Sequence, residues 1–394
     1  MIFQRRVLLV VAWYPNSSDP TAATFVRDQA RMLYNHGLRV TVVHTYLKGT
    51  FRETLFNRQN DVSLIEEDGI KVIRVGVSPP LPGMRSIAYQ KLCRVTCSFL
   101  EKVLPTTERP DVIHSHSIFM GGVVGMYLSR KWKKPQVHTE HTSGLIFDPK
   151  QYTTNDIKVL QDVYRHASNL LLVSNWFRDE MTRKYHLSLE NLEVLPNVVA
   201  PDFFSSTIRS NNTCKKVLTI GNFIPVKQHE LLLKAWSLVH EQRPDLTLTL
   251  AGEGPLKDEL IQLSKELSIQ DSIHWLPRQD RKGILKLMQE HDLIVSCSKV
   301  ETFGLTVAEA TACGKPVVVT DSGGVRDIVT KTNGSITKQN PDSLAQGIIQ
   351  LVENFAKYDP LLISEEVKAR FSSETISEQL EDIYMHTMLP KRNI

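Results

Sequence analysis

Glu301-Thr302-Phe303-Gly304-Leu305-Thr306-Val307-Ala308-Glu309 joins two kinds of secondary structure. The β-branched run Leu293–Ser296 precedes it and reads as a buried strand. Leu305–Ala312 follows and reads as a helix, with Gly304 at the turn, where backbone must come close. A strand feeding a helix through a polar loop is the repeating unit of a parallel α/β sheet. The helix N-terminus offers unpaired N–H groups and the positive end of a dipole, which suit a phosphate. Glu301 lies before that terminus, and Glu309 lies about a turn and a half inside the helix. One carboxylate can therefore reach one side of a bound diphosphate and the other the opposite side. Carboxylates also take strong hydrogen bonds from sugar and ribose hydroxyls.

Outward from this stretch the same alternation continues. Strands are expected at Lys216–Ile220, 246–251, 272–275 and 316–320, with helices at 230–241, 257–267 and 281–289 between them. The N-terminal half repeats the scheme. Strands are expected at 7–11, 39–44, 72–75, 111–114, 136–138 and 170–173. Helices are expected at 24–36, 85–104, 121–130, Thr154–His166 and 177–185. A chain of 394 residues is too long for one ordinary core, and two domains of roughly 200 residues are the natural division. The boundary is expected within 196–212. That gives an N-terminal domain at 1–198, a C-terminal domain at 199–370, and a C-terminal helix at 371–394 packing back towards the N-terminal domain. In open parallel sheets ligands sit beyond the carboxyl ends of the strands, so two such sheets would face one cleft.

Composition narrows the class. Hydrophobic residues make up 41% and charged residues 23%, as in globular domains. No apolar run reaches the roughly 18 residues of a membrane span. The basic, apolar start resembles a short signal peptide, but Trp13-Tyr14-Pro15 follows it at once, so it reads as a first buried strand. The five cysteines show no metal-ligand spacing and suit a reducing compartment, with Cys93 and Cys97 as neighbouring core thiols on a helix. Residues 1–200 hold 25 Lys+Arg against 18 Asp+Glu, a balance of +7; residues 201–394 hold 22 against 25, a balance of −3. The basic half, with Arg85, Lys91, Arg94 and Lys102 on one helix, suits weak association with an anionic membrane. No base-stacking aromatic pattern goes with it, so nucleic acid is not expected.

The Glu301 to Glu309 segment resembles the Glu-x(7)-Glu motif of the retaining glycosyltransferases of family 4, which have the GT-B fold of two Rossmann-like domains. Further matches run in order. Gly221-Asn222-Phe223-Ile224-Pro225-Val226-Lys227 is similar to the family's Gly-Arg-x-x-x-x-Lys loop. Gly252-Glu253-Gly254-Pro255 is similar to its Gly-x-Gly-Pro turn, and Gly314-Lys315-Pro316-Val317-Val318 with Ser322-Gly323-Gly324 to its closing strand and loop. Pro196-Asn197 resembles its interdomain element, and Asp111-Val-Ile-His114-Ser115-His116 its His-x-His strand end. Three positions depart from the pattern: Asn222 stands where arginine is usual, and Ala23 and Val198 stand where glycine is usual.

The resemblance implies roles. Lys227 would be the cation on the donor diphosphate, offsetting charge that grows as the leaving group departs. Asn222 would lie beside it, and the backbone N–H groups near Gly304 and Leu305 would help. Glu309 would bind ribose hydroxyls, Glu301 and His116 the transferred sugar, and Arg278 the nucleotide base. His114 and His116 share one face of a strand by alternation, so the pattern leaves open which of them enters the cleft. His141 is a further candidate for the acceptor side. The chain has no Asp-x-Asp to carry a divalent cation, and none of the motifs of a hydrolase, an NTPase or a dehydrogenase. The expected function is transfer of a hexose from a nucleoside-diphosphate sugar to a saccharide or lipid-linked acceptor in polysaccharide or glycolipid synthesis, without metal or other cofactor. The expected place is the cytoplasm, at the inner face of the membrane. The alternatives are a non-catalytic sugar-nucleotide-binding subunit, and a GT-B phosphorylase or hydrolysing epimerase.

Overall fold

The computed structural model describes residues 5–16, 19–48, 60–78, 85–188, 190–204 and 213–389. The chain divides into two compact units. The first holds Met1–Val173, Arg178–Pro196 and Ile376–Ile394, and the second holds Ser174–Phe177 and Asn197–Thr375.

The first unit is built on eight strands in the order β3-β4-β2-β1-β5-β6-β7-β8. They are β1 (Arg6–Val11), β2 (Arg39–Leu47), β3 (Asp61–Glu67), β4 (Ile70–Val77), β5 (Val112–His116), β6 (Gln136–Glu140), β7 (Asn169–Leu172) and β8 (Leu192–Val194). Its longer helices are α1 (Thr24–Asn35), α2 (Arg85–Val103), α3 (Val123–Trp132), α4 (Thr154–His166) and α5 (Asn175–Tyr185), the last belonging to this unit from Arg178 onward. Strand β1 is central because it is apolar from Val7 onward. Its Val7–Val11 side chains are all at most 1% exposed, as a strand covered on both faces must be. Val7 pairs with Val40 on one side and Val112 on the other, in parallel register.

The edge strand β3 is antiparallel to β4. Asp68 (φ 53°) and Gly69 (φ 78°) form the two-residue turn between them, the sign pattern a tight hairpin needs. Only the strand now seen as β4 is expected from hydrophobic patterning; β3 is half polar and exposed, so its signal was the Asp-Gly pair alone.

The second unit is a six-stranded, wholly parallel sheet in the order β11-β10-β9-β12-β13-β14. Its strands are β9 (Lys216–Ile220), β10 (Thr247–Ala251), β11 (Ile273–Leu276), β12 (Leu293–Ser296), β13 (Val317–Thr320) and β14 (Gly334–Thr337). Helices α6 (His229–Gln242), α7 (Lys257–Glu266), α8 (Arg281–Glu290), α9 (Leu305–Ala312), α10 (Pro341–Glu353) and α11 (Pro360–Phe371) follow in chain order. Trp236, Leu232 and Leu233 of α6 are fully buried against Leu248, Leu250 and Val295 of the sheet. The last helix, α12 (Ser373–Met388), belongs from Ile376 onward to the first unit. Its Tyr384 hydroxyl meets His114 Nδ1 at 2.6 Å, Thr387 donates to Asn169 at 2.6 Å, and Glu381 pairs with Arg5.

All five cysteines are buried and free. Among the described residues no helix is long and apolar enough to cross a membrane.

Candidate active site

In the second sheet the strand order reverses between β9 and β12, so their carboxyl ends border the crevice where ligands of such sheets bind. The loops beyond those two ends are tied together. Lys299 N–H donates to Val226 carbonyl at 2.8 Å, and the Cys297 thiol to Lys227 carbonyl at 3.1 Å. Across them Lys227 Nζ and Glu301 Oε1 form an ion pair at 2.5 Å, and Ser298 donates to the same oxygen at 2.7 Å. Both charged side chains keep access to solvent, at 31% and 19% exposed. The Glu301 backbone is clamped as well. Its N–H donates to Ser322 carbonyl at 2.8 Å, and its carbonyl accepts from Gly324 N–H at 2.9 Å. A Cβ on Gly324 would stand 2.4 Å from Thr302 backbone, so no larger residue fits that clamp.

Gly304 caps α9 at φ 101°, in the left-handed region, and a Cβ there would lie 2.8 Å from Val325. The first backbone bonds returning to Gly304 come from Val307 and Ala308, so the Leu305 and Thr306 amides precede the helical ladder. Glu309 lies inside α9 and is buried at 8% exposed.

The loop that carries Lys227 rests on the next turn of the sheet. Phe223 N–H donates to Glu253 carbonyl at 2.8 Å, and a Cβ on Gly252 would fall 2.0 Å from Gly221 carbonyl oxygen. Backbone therefore lies on backbone, which is the physical reason for glycine at 252; a Cβ on Gly221 would meet nothing closer than 3.8 Å. Asn222 is exposed; its carbonyl accepts from Ile224 N–H at 2.9 Å, and its side chain takes no part in that turn. Arg278 is exposed beyond β11, the sheet edge, two strands from β9 or about 10 Å across the ladder.

His229 opens α6, buried at 4% exposed, edge-on to Phe223 at 5.0 Å between ring centres. Burial, with the nearby Lys227 charge, lowers its pKa to about 4, so it stands neutral behind the lysine.

In the first unit the chain reverses between β1 and β5, and His116 ends β5 there. The two histidines of that strand separate by their partners. His114 is held at both nitrogens, by Tyr384 at 2.6 Å and Thr139 at 2.7 Å. His116 bonds through Nδ1 to His141 Nε2 at 3.0 Å, and its buried Nε2 has no hydrogen-bond partner. The His116 and His141 rings stack at 5.3 Å. Burial and the neighbouring histidines push His116 well below the ordinary 6.5, and burial lowers His141 to about 4. This is a neutral imidazole pair at physiological pH.

Glu140, fully buried, holds that pair in place. It accepts from the amides of Ile118, His141 and Thr142, each at 2.9 Å, and from the Thr142 and Tyr164 hydroxyls at 2.6 and 3.0 Å. Burial alone would raise its pKa, but His138 and Thr142 outweigh that and hold it at about 2. After β5 the backbone turns sharply, with Ser117 at φ 60° and Met120 at φ 65°. Gly121 follows, where a Cβ would strike His116 carbonyl oxygen at 2.1 Å. A cavity of about 1040 Å³ opens beyond β1, β2 and β4, with Trp13, Arg27, His44, Tyr46 and Arg74 among its walls.

Comparison with known proteins agrees with this geometry. The family model "Glycosyltransferase Family 4" matches residues 22–203, and "Glycosyl transferases group 1" matches 202–361. Together they run through both sheets and their crevices. This chain belongs to the GT-B glycosyltransferases of family 4.

Among its relatives, the D-inositol 3-phosphate glycosyltransferase of Mycolicibacterium gilvum is 27% identical over 70% of this chain and 66% of its own length. An uncharacterised glycosyltransferase of Methanocaldococcus jannaschii is 25% identical over 71% of this chain and 76% of its own length. Two solved structures share the fold. Sucrose-phosphate synthase of Thermosynechococcus elongatus has a TM-score of 0.76 at 20% identity, covering 97% of this chain and 98% of its own. HepE of Anabaena, solved with UDP-glucose, has a TM-score of 0.70 at 20% identity, covering 97% and 99%.

The glycosyltransferase thus brings Lys227 and Glu301 into direct contact and sets Gly304, Leu305 and Glu309 on the helix beyond. Arg278 and Asn222 lie outside that contact, at the sheet edge and on the exposed loop. The sequence reading of this glycosyltransferase passed over Glu140 and His229. Glu140 ends β6 directly before His141, and that neighbour was the available signal. His229 had none, since its burial depends on Phe223 folding over it.

Proposed function

We propose that this glycosyltransferase moves a hexose from a nucleoside-diphosphate sugar to an acceptor hydroxyl with retention at the anomeric carbon. The Lys227–Glu301 pair at the reversal of strand order carries the reading. Lysine has three donors, so Nζ can hold the carboxylate and still meet a diphosphate oxygen. The Leu305 and Thr306 amides supply further donors to that diphosphate. Glu301 positions the sugar, Glu309 binds the ribose hydroxyls, and Arg278 and Asn222 serve the nucleotide from the periphery. His116 offers its unpartnered Nε2 to the sugar as a neutral group. The anomeric carbon–oxygen bond to phosphate breaks as the acceptor oxygen bonds on the same face, and the acceptor proton passes to the departing phosphate oxygen. Lys227 offsets the charge that develops there, so no metal ion is needed for that task. The UDP-glucose found in HepE of Anabaena supports a nucleotide-sugar donor.

The test is a donor screen with UDP-, GDP- and ADP-hexoses in EDTA, with the product anomer read by NMR. Retained configuration is expected, and Lys227→Ala should lower kcat/KM by about a hundredfold or more. A folded Lys227→Ala enzyme that turns over like the parent would overturn the diphosphate assignment. An inverted product would overturn the retaining mechanism.

A further inference from the structure

The first unit carries a second concavity, away from the strand ends. A groove of about 720 Å³ runs among α2, α3 and α4, within the roughly 300–1,000 Å³ of ligand-sized pockets. Helical spacing builds it. Val123, Met126, Tyr127 and Arg130 fall at i, i+3, i+4 and i+7 on α3, so they form one stripe. Tyr89, Cys93 and Arg94 supply the facing stripe on α2, and Val159 closes the end from α4. The floor is apolar, with Met126, Tyr127 and Val159 half-buried.

The rim is cationic. Arg94 and Arg130 are exposed, and neither makes a hydrogen bond or an ion pair with any described residue. The other charges of the rim are already paired: Lys131 with Glu101 at 3.2 Å, and Asp162 with Arg165 at 2.8 Å. Arg85 of the same α2 helix is also engaged, with Asp156 at 3.5 Å. Two unpaired guanidiniums therefore stand over an apolar trough. Ile87, 49% exposed, lies seven residues before Arg94 and so on its face of α2.

We infer that this groove docks the protein on a membrane by taking an anionic phospholipid, its phosphate on Arg94 and Arg130 and its acyl chain along Met126, Tyr127 and Val159. Charge complementarity and the apolar floor together select an amphiphile of that kind. Guanidinium binds phosphate bidentately, and each cation at an anionic surface contributes about fivefold in affinity. Ile87 adds an apolar contact beside the head group. The assignment is independent of the donor reading: Tyr89 also borders the cavity beyond β1, β2 and β4, but Arg94, Arg130, Met126, Tyr127 and Val159 do not.

The experiment is flotation of the full chain with vesicles of phosphatidylcholine alone and of phosphatidylcholine mixed with phosphatidylglycerol. Binding to the mixed vesicles is expected to be at least about tenfold stronger and to weaken as salt screens the head groups. Arg94→Ala with Arg130→Ala should lose about twentyfold on the mixed vesicles, at an unchanged unfolding midpoint because both side chains are exposed. Met126→Gln should weaken the same binding while leaving the salt dependence in place. Equal partition onto the two vesicle types would overturn the proposal, as would a double arginine variant that binds like the parent.

Discussion

Asn222 shows what one residue can change when its neighbours stay as they are. The loop around it keeps its backbone bonds, from Gly221 to Ala251 carbonyl and from Phe223 to Glu253 carbonyl, so the frame does not depend on the Asn222 side chain. An amide can donate a hydrogen bond but cannot neutralise phosphate, whereas arginine is permanently charged and forked. Asn222→Arg should therefore tighten nucleoside diphosphate binding by about 0.5–1 kcal/mol, the scale of a solvent-exposed charge contact. Isothermal titration against UDP, GDP and ADP measures it. Weaker binding by a folded Asn222→Arg protein would mean that the loop does not face phosphate. His114 and His116 make the complementary point, since identical side chains two residues apart differ in every partner.

At the scale of an element, α1 begins in an unusual way. Its N-cap, Ala23, sits at φ 46° and ψ 46°, and no side chain caps the helix. An L-residue with a Cβ pays about 1–2 kcal/mol to adopt that conformation. Glycine avoids this but gives back about 0.4–1 kcal/mol through its freer unfolded chain. Ala23→Gly should thus raise stability by up to about 1 kcal/mol, read as a small increase in the urea midpoint at constant m-value. A clear loss would show that the Ala23 methyl group makes packing contacts worth more than the strain. Gly304 at the start of α9 makes the same kind of left-handed turn ahead of a helix, with glycine there to relieve the strain.

For the whole molecule, buried titratable groups set the response to acid. His44 and His141 have pKa values near 4, and His114 and His116 lie well below 6.5, all chiefly because burial disfavours their charged forms. His229 in the second unit is also near 4. Below about pH 6.5 the unfolded chain takes up protons at these sites and the folded chain does not, so stability is full above that pH and falls towards pH 4. Each such histidine contributes about 1.4 kcal/mol per pH unit within its window. Glu140 adds a second window. Its folded pKa near 2 lies below the ordinary 4.5, so its contribution is present above pH 4.5 and is lost as pH falls towards 2. Urea unfolding at pH 7 and pH 5 should show a marked drop in midpoint at the lower pH. An unchanged midpoint would mean that these imidazoles are not desolvated in solution.

Local information settled a definite share of this protein. Strands such as β9, β12 and β1 are apolar runs bounded by turns, and helices such as α4 and α9 follow them with their own periodicity, so adjacent residues suffice to read them. Gly304 and the spacing from Glu301 to Glu309 were legible for the same reason, because strand, turn and helix there are contiguous. The strands β3, β8 and β14 were not, being short or half polar. Nor could spacing show that Lys227 touches Glu301 74 residues away, that Tyr384 takes His114 out of the reckoning, or that Glu140 gathers three amides from two loops. Those contacts follow from strand order, which long-range burial decides. Burial then turns the same residue types into different chemistry: His116 is left with an unpartnered nitrogen, while His114 becomes part of the core.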